Sequence, residues 1–201
     1  MSEQKNIGVV VLAAGSSRRM GEPKQLLPYD SSVLLQHELQ KVKELQLAFS
    51  VVVLGANASQ ILQHIDVEGF EVVENTEWEE GIASSIRAGL KACEQHRPEL
   101  EGVLIVLGDQ PRIQAQQLHQ IVCADSELVA ASYAGQVGVP AYFGRRYFSE
   151  LKQLTGDRGA KAVLMSHSHE IKMIEIPEAA MDIDTRQQYE EVLKQHRIDS
   201  K

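Results

Sequence analysis

The pattern that most constrains this chain is a repetition of short, β-branched, nearly continuous apolar runs separated by stretches of helical period. The runs are Ile7–Leu12 (IGVVVL), Ser50–Leu54 (SVVVL), Phe70–Glu74 (FEVVE) and Gly102–Leu107 (GVLIVL). Their shortness and lack of polar alternation suit strands covered on both faces, as in a parallel sheet. After the first run, Leu35, Leu39 and Val42 fall on one helical stripe, with Ser31 or Ser32 placed to cap it. ASQILQHI predicts a shorter helix, and Gly81–His96 a longer one with Ile82, Ile86, Leu90 and Cys93 on one side. Strands alternating with helices predict an α/β fold: a Rossmann-like, open, mainly parallel sheet flanked by helices, with ligands beyond the carboxyl ends of strands.

The second half is less regular. ELVAAS and EIKMIEI read as strands, GVPAYFG as a loop or edge strand because of Pro140, and RRYFSELKQL and DRGAKAVLMSH as helices. A helix over Thr185–His196 closes the pattern. No linker, repeat or low-complexity stretch divides the chain, so residues 1–201 are expected to form one domain.

Charge limits the partners. With a formal net charge of -8, general attraction to nucleic acid or to an anionic membrane is excluded, and an anionic ligand must be held by local positive charge. No apolar run approaches the roughly 20 residues of a membrane span, and no signal-peptide pattern opens the chain, so a cytoplasmic location is expected. Cys93 and Cys123 lack the spacing of a zinc or redox motif and read as buried free thiols in helices. His167 and His169 read as a solvated helix end rather than metal ligands.

The loop after the first strand, LAAGSSRRMGEPK (Leu12–Lys24), reverses the local charge: Arg18, Arg19 and Lys24 stand against Glu22 alone. A strand, a small-residue loop and a helix form the arrangement in which backbone N–H groups converge on an anion. Gly15 is expected to take backbone angles closed to other residues, while Ala13 and Ala14 leave room for a ligand. The P-loop spacing fails because Gly21 is followed by Glu22, and GxGxxG fails because no glycine stands at 13 or 17. The residues alone leave two readings open, a phosphate loop or a solvated basic turn.

Two acidic clusters follow. VLGDQP puts Asp109 just past the fourth strand, and MDIDT puts Asp182 and Asp184 on one side of an extended segment with Ile183 on the other. One carboxylate from each place could clamp Mg²⁺, which takes one or two carboxylates and completes its shell with phosphates and water. A turn-forming Asp109 and a helix-capping Asp184 are the alternatives.

The runs LAAGSSRRMGEPKQLLP, NTEWEEGIASSIRAGL, LGDQP, GVPAYF, GDRGAKAVL and DIDTRQQYEEVL occur in family order from residue 7 to about 193. Together they resemble the molybdenum cofactor cytidylyltransferase group of GT-A-like nucleotidyltransferases, related to the molybdopterin guanylyltransferases. The resemblance implies a nucleotide-binding half over 5–112 and an acceptor-binding and closing half over 113–197. It implies that Leu12, Ala13, Ala14, Gly15, Ser16, Ser17 and Gly108 surround the triphosphate. Lys24, Arg18 and Asp109 become the catalytic set, and Asp109 with Asp184 hold Mg²⁺.

The donor it implies is CTP, because relatives carrying LAAG are associated with CTP and guanylyltransferases with LAGG, which makes Ala14 informative. Gly81, Ser84 and Ser85 either read the base or ribose, or simply begin a well-capped helix with Trp78 beneath. The implied acceptor is molybdopterin, bound near Pro140, Arg158, Gly159 and Asp182, and its product would serve a molybdoenzyme of the xanthine dehydrogenase type. DTRQQ departs from the commoner DTPED at Arg186 and Gln187 and leaves Asp184 in place.

Overall fold

Every residue of β1 (Ile7–Ala13) is buried, and its side chains alternate between two cores. Ile7, Val9, Val11 and Ala13 join one apolar cluster, and Val10 and Leu12 the other. Burial on both faces is why the run shows no polar alternation. The computed structural model describes residues 6–199. After β1 come a small hairpin, β2 (Pro28–Tyr29) and β3 (Ser32–Val33), then α1 (Leu34–Glu44), β4 (Phe49–Leu54), α2 (Ala58–Leu62), β5 (Glu71–Glu74), α3 (Ile82–His96) and β6 (Gly102–Leu107). The second half adds α4 (Ala115–Cys123), β7 (Leu128–Tyr133), β8 (Gln136–Gly144), α5 (Phe148–Lys152), α6 (Lys161–Ser166), β9 (Lys172–Glu175) and α7 (Arg186–Asp199).

The main sheet has seven strands in the order β5-β4-β1-β6-β8-β7-β9, so both halves of the chain share it. β5, β4, β1 and β6 are parallel, β8 is antiparallel to β6 and β7, and β9 is parallel to β7. From β1 the chain moves to β4 and β5 on one flank, then returns to the other flank as β6. That reversal makes β1/β6 a topological switch point, where a crevice opens beyond the strand ends.

Helices cover both faces. Leu35, Leu39 and Val42 of α1 pack on one face with Ile61 of α2 and Leu118, Ile121 and Val122 of α4. Ile86, Leu90 and Cys93 of α3 pack on the other with Leu151 of α5 and Leu164 of α6. Each such side chain contributes roughly 1.5–3 kcal/mol. Gly89 lets α3 press on β1, since a Cβ there would meet the Val10 side chain. A third cluster joins the hairpin to α7 through Leu27, Tyr29, Leu34, Ile183, Tyr189 and Val192. It returns the Asp182–Asp184 segment to the loop after β1.

Several expectations are corrected. GVPAYFG belongs to β8, an interior strand rather than a loop or edge. Ala130 pairs with Ala141 and Ala131 with Gly138, so Val139 and Pro140 fall in a bulge, while pairing with β6 stops at Ala141. The missing N–H of Pro140 is therefore not required by either ladder. Neither Ser31 nor Ser32 caps α1: Ser32 lies in β3, Val33 precedes the helix without a side-chain cap, and Leu34 N donates to Leu27 O at 2.8 Å. Cys93 is buried, its thiol pushed up to about 12 by burial, but Cys123 is exposed at the end of α4. DRGAKAVLMSH is helical only over Lys161–Ser166, and the Asp157–Ala160 stretch forms the loop before it. His167 bridges Glu150 and Glu170 at 2.9 and 2.8 Å, which raises its pKa.

Candidate active site

The carboxyl ends of β1 and β6 open into a cleft of about 540 Å³. Leu12, Ala13, Ala14, Gly15 and Ser16 form one side, with Leu107, Gly108 and Asp109 at the end of β6. The loop after β1 is held from within. Gln25, 2% exposed, donates through Nε2 to Ala13 O at 2.8 Å and to Gly15 O at 3.0 Å. Ser17 takes a left-handed φ of 54°, and its Oγ accepts from Lys24 N at 3.0 Å. Gly15 does not adopt the special angles expected of it. The left-handed turns fall at Ser17 and Gly21, and Gly15 instead leaves open space, with nothing within 4 Å of an added Cβ.

Lys24 stands between the two acidic clusters. Its Nζ lies 2.5 Å from Asp109 Oδ2 and 2.8 Å from Asp184 Oδ1. Burial opposes the ammonium charge, but the two carboxylates outweigh it and raise the pKa of Lys24. Burial also raises the Asp109 pKa against the pull of Lys24. Asp184 is more open; burial pushes its pKa up, and Lys24 and Arg19 prevail and hold it down. Arg19 pairs with Asp184 at 2.7 Å, whereas the exposed Arg18 reaches Glu79 at 3.7 Å across the cleft mouth.

The aspartates are brought together by the residue between them. Ile183 is fully buried, and its N–H donates to Asp109 O at 3.1 Å. Asp182 and Asp184 consequently both border the cleft. Gln110 donates to Asp182 Oδ1 at 2.7 Å, while burial and the nearby Asp109 push Asp182 up to about 6. Asp109 Oδ1 is buried without a hydrogen-bond partner. Among the described residues no group of three or more His, Cys, Asp or Glu is close enough to hold an ion. Asp109, through its unpartnered Oδ1, and Asp184 are carboxylates that could hold a divalent cation, with phosphates and water completing its shell.

The Asp109 loop is tied down by a buried ion pair that sequence reasoning missed. Lys41 Nζ donates to Glu38 Oε1 at 2.9 Å, to Ile113 O at 2.8 Å, and to Gln110 O and Pro111 O at 3.3 Å each. A lysine and a glutamate three apart on a helix look like a solvated pair in sequence; burial is visible only in the fold.

The remaining sequence candidates separate. Gly81 and Ser85 border the cleft, with Trp78 beside them rather than beneath the helix alone. Gly81 has φ 120°, and a Cβ there would collide with Gly156. Ser84 does not border the cleft: its Oγ donates to Gly81 O at 2.8 Å, and both Ser84 and Ser85 accept from the buried Asn75 amide. Ser17 also lies off the cleft wall, Pro140 is buried in the sheet, and Arg158 is exposed outside it. Gly159 borders a neighbouring smaller cavity. Gln25, Gln110 and Asp157 are site residues that sequence reasoning did not assign, although all three stand inside the motif runs, and Arg19 was counted only in the loop's positive charge.

The family model of the MobA-like NTP transferase domain matches residues 9–171. The chain belongs to this family. It is a nucleotidyltransferase of the MobA-like kind, and its sheet has the family's Rossmann-like form. It is 29% identical over 166 residues to purine catabolism protein PucB of Bacillus subtilis, covering 78% of this chain and 80% of that protein. It is 26% identical over 193 residues to nicotine blue oxidoreductase of Paenarthrobacter nicotinovorans, covering 89% and 92%. Rv0371c of Mycobacterium tuberculosis H37Rv superposes with TM-score 0.82 at 32% identity, over 94% of this chain and 98% of that one. Its complex with manganese gives TM-score 0.78 at 30% identity, over 94% and 99%. Among the described residues no helix is long and apolar enough to cross a membrane.

Proposed function

We propose that this chain is a Mg²⁺-dependent cytidylyltransferase that transfers CMP from CTP to the terminal phosphate of molybdopterin. The products are pyrophosphate and molybdopterin cytosine dinucleotide, made in the cytoplasm, the latter for a molybdoenzyme of the xanthine dehydrogenase type. The observation that carries the reading is the meeting of Lys24, Asp109 and Asp184 where the small-residue loop ends, in a cleft large enough for a nucleotide.

The chemistry is a displacement at the α-phosphorus. A terminal phosphate oxygen of the acceptor forms the new P–O bond, the bond to the bridging oxygen breaks, and its electron pair leaves with pyrophosphate. A phosphate monoester is already anionic near neutral pH, so alignment and charge screening matter more than a general base. Lys24, held charged by its two partners, supplies a fixed cation beside the loop. The Arg18–Glu79 pair is 76% and 71% exposed and contributes little, which leaves the guanidinium available to the triphosphate. Mg²⁺, when bound, would neutralise charge on the phosphate oxygens. Ala14 on the cleft wall supports a cytidine donor through the LAAG association.

Product analysis tests the reading: purified protein, Mg²⁺ and each nucleoside triphosphate are incubated with molybdopterin or with sugar phosphates. Pyrophosphate and a cytosine dinucleotide are expected only with CTP and molybdopterin. Product from GTP would overturn the base assignment, product from a sugar phosphate alone would overturn the acceptor, and no product at all would favour a cofactor-delivery role.

A further inference from the structure

A second cavity, of about 150 Å³, lies against the cleft, and Leu12, Ile82, Leu107 and Asp182 border both spaces. Its far wall comes from the β7–β8 hairpin and the start of α6: Tyr133, Val139, Gly159 and Lys161. A cavity of this size takes about one aromatic ring's volume, so it suits part of a substrate whose remainder extends into the cleft.

Gln110 gives the cavity its chemistry. The residue borders the cavity and is 2% exposed. Its amide nitrogen donates to Ala179 O at 3.1 Å and to Asp182 Oδ1 at 2.7 Å. Because both partners are acceptors, they fix which end of the amide is nitrogen. Oε1 is then a buried acceptor without a partner, and a buried carbonyl lacking a donor is costly enough that native structures rarely keep one. Leu12, Ile82 and Leu107 supply apolar contact for a flat ring. Asp182, which already accepts from Gln110, offers a second carboxylate oxygen at the boundary between the two spaces.

We propose that this cavity receives a flat, N–H-bearing heterocyclic ring of the acceptor, with Gln110 Oε1 accepting a ring N–H while the acceptor's phosphate arm lies in the cleft. This rests on the phosphate-acceptor reading above and adds to it the residue that selects the ring.

The test uses the free ring, so that it does not depend on turnover. Pterin and 1,3-dimethyllumazine, which keeps a fused ring but lacks the pyrimidine N–H groups, are titrated by fluorescence against the wild type and two variants. Gln110→Leu removes the acceptor. Gly159→Ala narrows the cavity without strain, because the added Cβ meets only Ile82 carbons at 3.5 and 3.8 Å. The CTP-induced rise in Tm reports folding of each variant. Pterin is expected to bind the wild type at least tenfold more tightly than dimethyllumazine, and each variant is expected to lose that margin. Absent pterin binding, equal binding of the two rings, or pterin binding unchanged in Gly159→Ala would overturn the cavity assignment. Turnover of molybdopterin with unchanged KM in both variants would overturn it while leaving the function intact. Turnover of sugar phosphates alone would instead overturn the functional reading, and the pterin titration would still decide for or against the cavity.

Discussion

The ammonium of Lys24 lies 2.5 Å from Asp109 Oδ2, with the two side chains 15% and 13% exposed. The contact joins the loop after β1 to the end of β6 across the switch point. It also means that Lys24 occupies oxygens a cation would use. Lys24→Met is therefore expected to bind Mn²⁺ about tenfold more tightly than the wild type when no nucleotide is present, because the competing charge is gone. Turnover with CTP should fall by about 100-fold or more, since a fixed positive charge has left the cleft. Electron paramagnetic resonance of free Mn²⁺ measures the first effect and pyrophosphate release the second. Weaker Mn²⁺ binding by the variant would show that the lysine supports the cation rather than competing with it.

Asp109→Asn should separate fold from chemistry. Burial already disfavours the charge of Asp109 and its Oδ1 has no partner to lose, while an amide oxygen can still accept from Lys24, which also keeps Asp184, so a neutral amide costs little in the fold. The expected result is a Tm close to the wild type with turnover reduced by about 1,000-fold or more. Full activity in this variant would remove Asp109 from the mechanism.

The legible parts of the molecule were those where one local cause dominates. β1, β4 and β6 were readable because two-sided burial demands continuous apolar runs, and Asp182 and Asp184 were readable as a pair because Ile183 must turn inward. Pro140 misled because its missing N–H argues against an interior strand, and only the register of both neighbouring strands shows the bulge that accommodates it. Gln25, Lys41 and Gln110 were hidden for a different reason. They are polar residues whose burial depends on contacts as far as 72 positions away, and no local period marks such partners. Ser84 shows the converse: a hydroxyl at a helix start suggests ligand contact, and its use is set by Asn75 from the preceding strand end.

The Lys41–Glu38 pair tests whether the Asp109 loop depends on a distant tether. Both side chains are under 9% exposed. Lys41→Met would strand a buried carboxylate and the Ile113 carbonyl, while Gln110 O keeps Ile113 N and Pro111 O keeps His37, a loss of about 3–5 kcal/mol. Replacing both residues, as Glu38→Leu with Lys41→Met, should restore most of the stability because no buried charge is left unpaired. Turnover is nevertheless expected to stay at least about tenfold down, because nothing then pins Gln110–Ile113 beside Asp109. Denaturation midpoints and steady-state rates check the two halves. Recovery of full turnover in the double variant would reduce the pair to a stabilising role.

Two groups with opposite shifts govern stability in mild acid. His37 is pushed down from an ordinary 6.5 to about 4 by burial and then by Lys41, so the unfolded chain takes up its proton first as pH falls. That uptake lowers stability progressively from about pH 6.5 to 4. Asp182 is pushed up to about 6 from 3.8, so the folded chain takes up its proton first and gains stability over nearly the same window. The two contributions oppose each other, each on the order of 1–2 kcal/mol once solvent screening at these half-buried sites is allowed for. His37→Gln should unmask the aspartate, giving a protein whose stability relative to the wild type improves as pH falls from 6.5 to 4.5. Asp182→Asn should unmask the histidine and give the reverse trend. Urea midpoints of the three proteins at pH 4.5 and 6.5 measure both differences, and parallel pH trends across all three would refute the linkage at both residues.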